Sequence, residues 1–113
     1  MQMAERGEWN RKGATLSDVN AEKEYGITRD FLVAGIRAGK LEYREGAVWG
    51  NPYLRIIRSQ LERYIEETLG RDQFLKKKAP TELRAINKEL TDIRKRITEL
   101  EARKAELERA LKT

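Results

Sequence analysis

Histidine and cysteine are both missing from the 113 residues, which excludes the commonest general base and every thiolate metal site together. Hydroxyls and carboxylates remain, and their settings read as structural. Ser17 and Ser59 stand where helices should begin, the carboxylates sit beside Lys and Arg at helical spacing, and residues 46–50 lack a phosphate-loop pattern despite their glycines. No catalytic residue, metal, cofactor or small-molecule ligand is expected, and the chain does not read as an enzyme. Binding chemistry is better supplied. Arg29 and Arg37 lie on one short segment with Asp30, Val33 and Ala34. A guanidinium can bond a guanine edge with two hydrogen bonds or pair with phosphate, a carboxylate can accept from cytosine, and small apolar groups can touch a thymine methyl. Thr28, at the start of that segment, suits a phosphate. Further on come Lys40, Arg44, Trp49, Asn51 and Arg55, in a region with the marks of a turn. The Trp49 indole is placed either to stack on or wedge into a nucleic acid or to fold back over the core.

The net charge of +5 points to an anionic partner, but its location limits that inference. Residues 1–70 carry 11 basic and 11 acidic side chains, residues 71–80 carry 4 and 1, and residues 81–113 carry 9 and 7. The first 70 residues are therefore neutral. Within them, Thr28 to Arg58 holds six basic and three acidic residues, while Glu22, Glu24, Glu62, Glu66 and Glu67 cluster outside that stretch. One positive side on a neutral domain is expected.

The elements that must position these residues follow from punctuation. Leu16, Val19 and Tyr25 share a helical face behind the candidate cap Ser17, and Gly26 supplies the stop. Thr28 can cap a second helix with Phe31, Leu32 and Ile36 on one face and Gly39 as its end. Leu41, Tyr43 and Tyr53 to Ile57 are rich in β-formers, and Gly46, Gly50, Asn51 and Pro52 between them predict a hairpin with a loop. Ser59-Gln60-Leu61-Glu62 reads as a capping box before a helix with the stripe Leu61, Tyr64, Ile65 and Leu69. Gly70 and Ala79-Pro80 enclose Lys76-Lys77-Lys78, which reads as a basic linker able to grip phosphate or simply be solvated. Thr81 then caps a new helix.

Helix, tight turn, helix, hairpin, helix is the order of a winged helix-turn-helix. The stretch 16–65 resembles the excisionase and MerR-like winged helix-turn-helix family. The resemblance rests on its opening Leu16-Ser17, the Gly26-Ile27-Thr28 turn, Leu32, Ile36, Arg37, Gly39-Lys40-Leu41 and the closing Arg58-Ser59-Gln60-Leu61. It implies that the second helix enters the major groove of double-stranded DNA with the hairpin as a wing. Glu22 and Glu24 depart from the family's small or apolar residues, and Gly35 costs a helix interior about 1 kcal/mol relative to Ala.

From Leu83 the chain carries a heptad pattern. Leu83, Leu90, Ile97, Lys104 and Leu111 fall at a, with Ile86, Ile93, Leu100 and Leu107 at d, so eight of nine seam positions are aliphatic. A helix of about 48 Å outruns a domain of this size, which makes self-association the better reading. Charges flanking the seam suit a parallel pair, whereas MerR-like relatives imply an antiparallel one, and both stay open. A homodimer is expected, with a tetramer possible because Leu at a and Ile at d lean toward larger bundles.

The expected chain is thus mainly α with a small β-hairpin: a winged helix-turn-helix domain followed by a long C-terminal coiled-coil helix. Its parts are a flexible N-terminal arm (1–14) holding Arg6, Arg11, Lys12 and an unexplained Trp9, the winged domain (15–70), the basic linker (71–80) and the oligomerisation helix (81–113). The expected function is sequence-specific binding of double-stranded DNA, as a transcriptional regulator or excisionase-like accessory factor. A phage terminase small subunit and a protein-interaction adaptor without DNA binding are the alternatives. With no apolar run long enough to span a bilayer and no signal-peptide core, no membrane partner and a cytoplasmic, nucleoid-associated location are expected.

Overall fold

The computed structural model describes residues 7–113. Its elements are β1 (Thr15–Ser17), α1 (Asp18–Tyr25), α2 (Arg29–Arg37), β2 (Tyr43–Val48), β3 (Asn51–Ile57), α3 (Arg58–Leu69) and α4 (Arg71–Lys112). The chain is mainly helical, with a three-stranded antiparallel sheet in the order β1-β3-β2 and a long C-terminal helix. It divides into two compact units, Met1–Pro80 and Thr81–Thr113.

Local chemistry sets the first two helices. The Ser17 hydroxyl accepts from the Asn20 N–H at 3.1 Å and Thr28 accepts from the Phe31 N–H at 3.1 Å, so each helix has the expected N-cap. Gly26 closes α1 at φ 61°, a left-handed conformation that a Cβ would disfavour. The face of α1 differs from expectation. Leu16 lies in β1, paired with Ile56, and Val19 is 48% exposed; Asp18, Ala21 and Tyr25 form the inward face instead. A three-residue strand is too short to leave a periodic signal, so its apolar residue was readable as part of the helix beside it.

The hairpin is tighter than expected. Gly46, Asn51 and Pro52 all belong to strands, and Trp49-Gly50 alone form the turn, both at positive φ as a two-residue type I′ turn demands. Gly46 stands opposite Tyr53, whose ring lies 2.6 Å from where a Cβ would be. On β3, Pro52 and Leu54 direct their backbone away from β2, toward the side where β1 pairs only residues 55–57. Pro52 has no N–H, and that of Leu54 donates to Asp18 Oδ1 at 3.2 Å.

The core of the first unit is built by Leu16, Ala21, Tyr25, Ile27, Leu32, Leu41, Ile56, Leu61, Tyr64, Ile65 and Phe74. The capping box before α3 does not form: α3 begins at Arg58 after Ile57, without a side-chain cap, and the Ser59 hydroxyl donates to Glu8 at 3.2 Å. Leu69, expected in the buried stripe, is 37% exposed.

Residues 71–80 are not a linker. They are the first turns of α4, with Phe74 buried in the core, Lys77 Nζ donating to the Gly26 carbonyl at 3.0 Å and Lys78 Nζ 3.4 Å from a Glu62 carboxylate oxygen. Thr81 therefore lies inside a helix rather than at its cap, and Pro80 is accommodated within it. Pro80 has no N–H to give the helix, and the Phe74 ring buried at the start of α4 anchors this stretch to the core.

Candidate nucleic-acid interface

Thr28 at the N-cap and Arg29, Asp30, Ala34 and Arg37 on α2 are exposed and Val33 is half-buried, while Leu32 and Gly35 face the core. Gly35 is forced by packing. A Cβ there would lie 2.6 Å from the Tyr64 ring and 2.9 Å from Leu41 Cδ1, and the Tyr64 hydroxyl donates to the Phe31 carbonyl at 3.0 Å. The ring of Tyr64 thus replaces a side chain on α2, which answers the cost that Gly35 carries in a helix.

Arg29 is joined to the rest of the domain through Asp18, the buried polar residue of the core at 4% exposure. One Asp18 oxygen accepts from the Arg29 guanidinium and the other from the Leu54 N–H, so a single carboxylate ties α1, α2 and β3. Sequence reading missed Asp18. The available signal was that it and Arg29 each directly follow a helix cap, one on each side of the Gly26 turn.

On the hairpin, Arg44 and Arg55 are directly opposed across β2 and β3. Like charges so placed repel, and Trp9 lies between them. Its ring is 4.4 Å beneath the Arg44 guanidinium and its carbonyl accepts from Arg55 Nη2 at 3.1 Å, while the same nitrogen donates to Thr15 Oγ1 at 2.9 Å. This gives Trp9 a role. The segment 7–14 is consequently not a free arm: it turns on the Gly7 carbonyl, buries Ala14, and has the Arg58 N–H and Nε bonded to the Ala14 and Gly13 carbonyls. Arg6 lies outside the described residues.

Trp49 is 95% exposed at the hairpin tip, so its indole does not fold over the core. Beside it, Val19, Val48, Asn51, Pro52 and Tyr53 line an open groove of about 580 Å³ on the face that carries Arg55. Other basic residues are committed elsewhere. Lys40 Nζ lies 3.6 Å from a Glu67 oxygen, and Arg58, counted on the positive side in sequence, donates to Glu24 at 2.6 Å and to the Tyr25 hydroxyl at 2.9 Å. The Tyr25 hydroxyl in turn donates to Glu62 at 2.7 Å. Burial, and then the bond to Glu62, push the Tyr25 phenol well above its ordinary pKa. Arg58 thus supplies an ion-pair partner for Glu24 on α1.

The structure thus brings Arg44, Arg55 and Trp9 together and links Arg29 to β3 through Asp18, but turns Lys40 and Arg58 toward carboxylates. Among the described residues no His, Cys, Asp and Glu cluster suits a metal ion, and no helix is long and apolar enough to cross a membrane. Compared with known proteins, the chain matches no family model, no curated protein and no solved structure.

Proposed function

We propose that the first unit is a winged helix-turn-helix that binds double-stranded DNA, placing α2 in the major groove with the hairpin as its wing. The second unit would pair two copies into a homodimer. The observation that carries this reading is the division of α2 into a face sunk on Tyr64 and Leu41 and a face presenting Arg29, Asp30, Ala34 and Arg37 to solvent. The hairpin that follows adds Arg44 and an outward indole. A helix of nine residues offers few base contacts, each good bidentate pair being worth about 1–3 kcal/mol, so a regulator of this size gains from two copies acting together.

The test is a mobility shift on duplex DNA across a salt series. Arg37→Ala with Arg44→Ala should weaken binding at least about tenfold and flatten the salt dependence, because each phosphate contact contributes roughly one unit of slope. Absence of binding by the unaltered chain at low salt would overturn the reading.

A second reading, a protein-interaction adaptor, is favoured by one observation: Arg29, Lys40, Arg55 and Arg58 each already have a partner within the domain. Retention of protein partners by a chain that ignores DNA would select it.

A further inference from the structure

We infer that the stripe on Thr81–Thr113 is covered by a second copy of this chain lying parallel and in register, an inference that rests on the dimeric half of the proposed function. The aliphatic side chains from Leu83 to Leu107 are each 40–58% exposed and Leu111 is 86% exposed, an apolar seam interrupted at Lys104 and without cover in the single chain. What selects a parallel copy is the charge beside it. In a parallel pair each g position meets the e position five residues on in the partner. Glu89 then meets Arg94, Arg96 meets Glu101 and Arg103 meets Glu108, and by symmetry each attraction occurs twice. In an antiparallel pair centred between Ile97 and Leu100, positions g meet g and e meet e. Arg96 then faces Arg103 and repels, cancelling the attraction of Arg94 for Glu101.

The single chain leaves these groups able to switch. Arg96 and Arg103 lie 3.5 Å and 3.0 Å from Glu99 and Glu106, both on the outer c positions, and a guanidinium with five N–H donors can hold that contact and reach across the seam. Lys104 at an a position is the counterweight, since a parallel copy sets two ammonium groups near each other. Its Nζ already lies 3.7 Å from Glu108, which draws the charge out of the seam. Parallel pairing also joins both first units to the same end of the paired helices.

The absence of cysteine makes the test clean. Ile86→Cys and Leu111→Cys are made separately in the full chain and air-oxidised, alone and as an equimolar mixture. Parallel pairing predicts that most of each variant alone becomes a covalent dimer. Cross-linking only in the mixture, where residue 86 meets 111, would establish the antiparallel copy and overturn the proposal while leaving self-pairing intact. A monomer by sedimentation at all concentrations would overturn both. As a second measurement, Glu89→Arg should weaken dimerisation roughly threefold to tenfold, and Arg94→Glu in the same chain should restore it. No effect of Glu89→Arg would count against the parallel register. Duplex binding by a variant that fails to dimerise would separate failure here from failure of the DNA reading.

Discussion

At Gly35 the chain uses a residue that weakens a helix in order to seat Tyr64, and the two effects compete measurably. Alanine there improves helix propensity by about 1 kcal/mol, but its methyl must displace a ring 2.6 Å away, and overpacking of this kind costs about 1–3 kcal/mol. Gly35→Ala should therefore lower the melting temperature, not raise it. Trp49 shows the opposite economy. It holds φ 53° in the turn, where a bulky residue is strained, and its side chain packs on nothing sufficient to reduce it below 95% exposure. Trp49→Asn should raise stability by roughly 0.5–1 kcal/mol in chemical denaturation, because Asn-Gly fits a type I′ turn, and should weaken duplex binding if the indole contacts it. Tyr25 supplies a pH dependence. Burial first, and then the bond to Glu62, outweigh the opposing pull of Arg58, so the folded pKa of its phenol lies above the unfolded value of about 10. The stability advantage of the chain over Tyr25→Phe should be fully present below about pH 10 and decline as pH rises beyond it, read from denaturant midpoints.

Among the elements, α4 carries the clearest contrast between sequence and structure. Proline, a basic triplet and a glycine all mark residues 71–80 as a break, yet Phe74 is buried in the core and the segment is helical. Phe74→Ala should destabilise the first unit by about 3 kcal/mol, measured as the loss in denaturant midpoint, a penalty that a solvated linker residue would not show. The α1-turn-α2 pair was legible because Ser17, Gly26 and Thr28 act locally, each through its own hydroxyl or its missing Cβ. The hairpin was legible as a hairpin, but its register was not: Gly46 and Pro52 look like loop residues until Tyr53 covers the one and β1 ends short of the other. The candidate interface was legible in residue type. Its geometry was not, since Asp18 and Trp9 act on Arg29, Arg44 and Arg55 across 11, 35 and 46 positions of sequence, where no periodicity reports a partner.

For the molecule as a whole, the proposed dimer has an energetic requirement that can be checked. Covering the seven half-exposed aliphatic side chains from Leu83 to Leu107 gains about 1 kcal/mol each, roughly 14 kcal/mol for a pair, against an association cost of about 4–15 kcal/mol. Thermal unfolding of the Thr81–Thr113 helix, followed by far-ultraviolet circular dichroism, should thus shift upward with protein concentration. A transition independent of concentration would mean that the helix stands alone. The proposed pairing would hold two copies of the hairpin at high local concentration, where an open strand edge invites a further strand. Here the edge of β3 left by the short β1 offers neither donor that a newcomer would need: Pro52 has no N–H, and that of Leu54 is spent on Asp18. The carboxylate that positions Arg29 thereby also closes this stretch of β3 to a further strand, and Asp18→Ala would return one free N–H to it.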